Sequence, residues 1–118
     1  MLFFKNAKKN IRLRLIDCDY APQDMEKQLP IVCDLIRTIP GKDRPDYWLA
    51  KCESSIRYEN TNVNYLIIAP RLAGQEIRKG MGTIALGVAY VTDESLIHDD
   101  TLSFEKCRYV AVCNAEEL

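Results

Sequence analysis

The sequence is poor in the features that announce common chemistries. It has a single histidine, His98, and its five cysteines (Cys18, Cys33, Cys52, Cys107 and Cys113) include no Cys-x-x-Cys pair. Metal sites need clustered donors at short spacing, so neither a metal nor another cofactor is expected. No Gly-x-Ser-x-Gly elbow is present to raise a serine nucleophile. No glycine-centred twelve-residue loop for calcium surrounds Asp17-Cys18-Asp19 or Asp99-Asp100. Apolar runs stop well short of the roughly 20 residues of a membrane-spanning helix. Met1-Leu2-Phe3-Phe4 lacks both the length of a secretory core and a basic region before it. Neither sign of charge prevails: 16 Lys and Arg stand against 17 Asp and Glu, which favours neither a membrane nor a nucleic acid as partner. The odd cysteine count and wide spacing read as reduced thiols, packed as small hydrophobes, in a cytoplasmic protein.

What is present is enough apolar material for one core: 47% of the 118 residues, against 28% charged. No repeat or linker divides the chain, so residues 1–118 read as a single domain. Ile11-Arg12-Leu13-Arg14-Leu15 alternates apolar with basic residues, the period of a half-buried strand. Pro22 suits the first position of a helix, and Met25, Leu29, Val32, Ile36 and Ile39 recur at helical spacing. The pattern predicts one helix over 22–39, kinked or split at Pro30 and stopped by Pro40-Gly41. The remainder reads as strands: 47–58 and 63–69, joined into a hairpin at Glu59-Asn60-Thr61-Asn62, then 83–91 and 107–113. The expected fold is therefore α+β. A mostly antiparallel sheet of about five strands, flat or curled into a half-barrel, carries the long or Pro-broken helix on one face.

Strand composition adds a second expectation. Leu66-Ile67-Ile68-Ala69, the stretch from Ile84 to Val91, and Tyr109-Val110-Ala111-Val112 do not alternate; they are apolar on both faces. One helix cannot cover both faces of such a sheet. Either the sheet curls on itself or its second face packs against another chain, and a homodimer is the simplest way to do the latter. The expected function is accordingly a non-enzymatic protein-interaction domain, self-associating or bound to another protein, of the kind that inhibitors and immunity proteins represent. The alternative is a small-molecule-binding or small catalytic domain with a pocket between helix and curled sheet.

Candidate site residues follow from these two readings. For catalysis, His98 is the only histidine, the residue type best suited to general-base work; Asp99 beside it is a potential orienting carboxylate, and Cys52 or Ser95 a potential nucleophile. Tyr65 is a further candidate for a pocket wall. For binding, Tyr47 and Trp48 open a strand and have the chemistry of interface anchors. Arg71, Arg78 and Lys79 lie on a long loop, a common place for contacts. Lys79-Gly80-Met81-Gly82-Thr83 has a phosphate loop's flexibility but precedes a strand instead of following one, so a turn is the expected use.

Overall fold

Pro30 decides the first half of the fold. Its ring removes a backbone donor and clashes with a helical path, so helix stops before it. Only one turn forms, α1 (Gln23–Glu26), and the chain then enters a strand at Ile31. The structure, a computed structural model, describes residues 11–39, 47–72, 75–100, 102 and 106–118. The Pro40-Gly41 stop and the loop after it lie outside the described residues. The described residues form six strands: β1 (Arg12–Asp19), β2 (Ile31–Ile39), β3 (Tyr47–Tyr58), β4 (Thr61–Pro70), β5 (Ile84–Val91) and β6 (Arg108–Glu117). Each pairs antiparallel with its sequence neighbour, and β6 returns to pair with β1. The expected α+β fold is thus overturned: the molecule is an all-β, closed six-stranded barrel.

The 31–39 stretch shows why the helical spacing misled. Ile31, Cys33 and Leu35 alternate inward as a strand requires, and Ile31, Val32, Ile36, Thr38 and Ile39 are β-branched residues that favour strands. A bulge between Leu35 and Arg37 then inserts one residue. Ile36 is left exposed, and the phase reverses so that Ile39 buries on the outside of the barrel. An interrupted period of two had looked like a period of 3.6.

The barrel interior is filled by side chains: Leu13 and Leu15 from β1, Leu66 and Ile68 from β4, and Leu86 and Tyr90 from β5 are all fully buried. Met25 of α1 belongs to the same core, so the single helical turn contributes its one buried side chain there. Two hydrogen-bonding groups pin this turn to the β3–β4 hairpin. The Gln28 amide donates to the Arg57 carbonyl (2.8 Å) and its oxygen accepts from the Arg57 N–H (2.7 Å). The Asp24 carboxylate accepts from the Glu59 N–H (3.2 Å), at the hairpin turn where Glu59 takes a left-handed φ of 54°.

The outside of the barrel has two characters. On β3, β4 and β5, Leu49, Ile67, Ala89 and Val91 point outward and are nevertheless buried, together with Ile39 and Leu102. Leu96, Ile97 and Cys107 pack against them from the segment after β5, which contains a 3-10 turn (Glu94–His98). The Arg37 guanidinium holds this segment down, donating to the carbonyls of Ile97 (2.7 Å) and Asp99 (3.3 Å). On the far wall, Arg14 pairs with Glu116, and Arg12 with Asp34 and Glu53. The doubly apolar runs of β4 and β5 are therefore covered largely by their own chain, whereas on β6 Tyr109 is exposed and Val110 and Val112 are half-buried.

Barrel closure carries a covalent tie. Cys18 on β1 and Cys113 on β6 are opposite each other in register and form a disulfide. The reading of all five cysteines as thiols is corrected here; Cys33, Cys52 and Cys107 are free. No helix among the described residues is long and apolar enough to cross a membrane.

Candidate functional site

The barrel wall is not uniform. The β2–β3 ladder ends at Cys33 and Cys52, although both strands run on past that pair. On its other side, β3 skips from Lys51 opposite Tyr65 to Ile56 opposite Val63. Four residues, 52–55, thus face a single residue of β4. The sequence explains the break locally. Glu53-Ser54-Ser55 is a polar run with no inward-facing apolar residue, and Pro30 cannot supply an N–H to extend β2. The result is a seam between β2 and β3 that opens into a depression of about 130 Å³. Its wall is half apolar (Pro30, Ile31, Val32, Ile56) and half polar (Gln28, Glu53, Ser54, Ser55).

The polar side of the seam is anchored to its surroundings. Arg12 holds Glu53, and the Ser55 hydroxyl donates to the Asn64 side-chain oxygen. The Asn64 amide in turn donates to Glu94 (2.7 Å), at the start of the covering segment. Ser54 is exposed at the centre of the run. The site offers a preformed hollow with hydroxyl, amide and carboxylate groups at its rim.

The catalytic candidates are not brought together. His98 is exposed at the end of the 3-10 turn, on the outer layer, whereas Cys52 is inside the barrel. Asp99 accepts from Lys106 (3.3 Å) and its carbonyl accepts from Arg37. Ser95 is engaged in capping, donating to the Asp93 carboxylate (2.6 Å). Tyr65 is half-buried against the outer apolar cluster. Among the binding candidates, Trp48 packs on the inner core and Tyr47 on the outer one, so the pair is split between two faces of β3. Arg71 is exposed, Arg78 lies 3.8 Å from Glu76, and Lys79 lies 3.6 Å from Glu117. Gly80 takes the left-handed φ of 79° that a turn there requires, and its N–H donates to Glu117 (2.7 Å). An internal carboxylate therefore occupies the position a phosphate would take.

The seam itself went unnoticed in the sequence. Its signal was the Ser54-Ser55 interruption of an otherwise strand-like run. That becomes meaningful only when β2 is known to lie alongside.

Beneath the seam, Cys33 and Cys52 sit inside the barrel, and burial pushes both thiols up, Cys52 to about 12. The Tyr90 hydroxyl is raised likewise, first by burial and then by the nearby Asp24 carboxylate, and it has no hydrogen-bond partner among the described residues. In the unfolded chain these groups lose protons from about pH 9 to 10, while the folded chain keeps them. The unfolded state then binds fewer protons, so stability is full below pH 9 and falls above it. The slope is on the order of 1 kcal/mol per pH unit for each such group. Urea titrations across pH 8–11 test this. Tyr90→Phe is expected to match or exceed wild-type stability at pH 7, because the lost hydroxyl leaves no broken bond, and to flatten the alkaline decline. A loss above about 2 kcal/mol at pH 7 contradicts the account.

Comparison with protein-family models, curated proteins and solved structures finds no match for this chain.

Proposed function

We propose that this barrel is a non-enzymatic binding module that recognises a protein partner through the β2–β3 seam. The observation behind this reading is the seam itself: a half-apolar hollow with exposed hydroxyls where the barrel wall opens. A volume of about 130 Å³ suits one partner side chain with a polar tip and not a whole metabolite. Shallow hollows filled by single anchors are the usual centres of protein interfaces. The self-association expected from the apolar strands is not part of this reading, because the longest of those runs, on β4 and β5, are covered within one chain. A cytoplasmic location rests on the three free thiols; the Cys18–Cys113 bridge weighs toward oxidising conditions, where such bonds persist.

A photo-crosslinking amino acid placed at Ser54 tests the seam, with the same group at exposed Thr38 as control. In extract of the source cells, a discrete protein adduct is expected from position 54 alone. Excess wild-type chain should suppress it, and the Val32→Arg chain, whose new side chain fills the hollow, should not. Equal adducts from both positions, or equal competition by Val32→Arg, overturns the reading.

A further inference from the structure

Two pairs of cysteines face each other across ladders of this barrel, and only one pair is bonded. Cys18–Cys113 is a disulfide; Cys33 and Cys52 are directly opposite on β2 and β3 and remain free. Directly opposite residues in an antiparallel pair lie about 4.5 or 5.5 Å apart at Cα, and both values fall within the range a disulfide spans. Both side chains point into the barrel and belong to the same core. The pair is also the last rung before the seam opens. Beyond this rung no β2–β3 pairing has to break for the two strands to shift slightly relative to each other.

We propose that Cys33 and Cys52 form a second interstrand disulfide, by exchange with a low-molecular-weight disulfide such as glutathione disulfide, and that this bond staples the seam. One protein thiolate attacks a glutathione sulfur, forming a mixed disulfide and releasing one glutathione thiolate. The second protein thiol loses its proton and attacks the protein sulfur of the mixed disulfide, releasing the second glutathione. The two protein protons end on the two glutathiones, and the two electrons reduce the one glutathione disulfide consumed. Cys52, next to the seam residues, is the thiol that opening of the seam exposes first. Burial holds both thiols protonated, so the exchange is slow at neutral pH and quickens as pH rises. The inference stands whatever the seam binds.

The test uses the wild-type chain with its Cys18–Cys113 bond intact. It is incubated in glutathione buffers of increasing disulfide content, quenched, alkylated in denaturant and digested at Lys and Arg. The expected product links the peptides 28–37 and 52–57, with loss of two alkylation sites and no retained glutathione. Amide exchange at residues 31–32 and 53–55 should slow at least several-fold in that product. Cys107→Ser should give the same linkage, which separates pairing from scrambling. Persistent glutathione adducts on Cys33 or Cys52, or linkage of either to another cysteine, overturns the pairing. A linked product whose seam exchanges as before overturns the staple.

Discussion

Removing the Cys18–Cys113 bond is expected to lower stability by about 4–5 kcal/mol, the loop-entropy value for a bridge joining residues 95 apart. Small domains have only about 5–15 kcal/mol in total, so the reduced barrel should be marginal. The reason is topological. Five of the six ladders join consecutive strands, and only β1–β6 joins the two ends of the sequence. The bridge restricts the unfolded chain at the one pairing that demands closure of nearly its whole length. Urea unfolding of the Cys18→Ala/Cys113→Ala chain against wild type measures the effect. A difference below about 1 kcal/mol would show that the ladder closes without covalent help.

The second large effect concerns the outer layer. Ile67 points away from the barrel interior yet is fully buried, between Leu49 and Ala89 on the neighbouring strands and beneath the covering segment. Ile67→Ala should cost about 2–5 kcal/mol, and Ile67→Asp should unfold the chain, because a buried carboxylate there gains no partner. Circular dichroism and light scattering read these outcomes together. Wild type is expected at the monomer mass of 13.5 kDa. If wild type instead has twice that mass and Ile67→Asp is a folded monomer, the outer face is an interface and the self-covering account fails.

The sequence disclosed strands better than it disclosed their assembly. The β3–β4 hairpin lies where the Glu59–Asn62 turn cluster put it, because turn chemistry is local. The doubly apolar runs at 66–69 and 84–91 correctly signalled burial on both faces. Sequence alone did not show that a polar-looking segment containing Leu96, Ile97 and Leu102 supplies the second cover. Three apolar residues spread among Asp, Glu and Ser have no period to read. The 31–39 stretch failed for the opposite reason, since a bulge at Ile36 produced a period that was misleading. Closure itself is a relation between positions 12–19 and 108–117, signalled only by opposite charge at the two ends, which Arg14 and Glu116 realise as a pair across the ladder. The seam was legible only as two serines in a strand, and the opposed cysteines on its edge not at all, because register is a property of the pair.

Because the first and last strands lie side by side, the barrel has no topological beginning. A circular permutant that joins residue 118 to residue 11 through a short linker, and opens at the exposed Glu59–Asn60 turn, keeps all six ladders. In such a rearranged chain β6 and β1 become an ordinary hairpin. The cross-link between them then encloses a loop of fewer than about 20 residues, and its entropic contribution falls from about 4.7 to about 3 kcal/mol. The same bond clasps the whole barrel in one chain order and only a single hairpin in another, at about two-thirds of the strength.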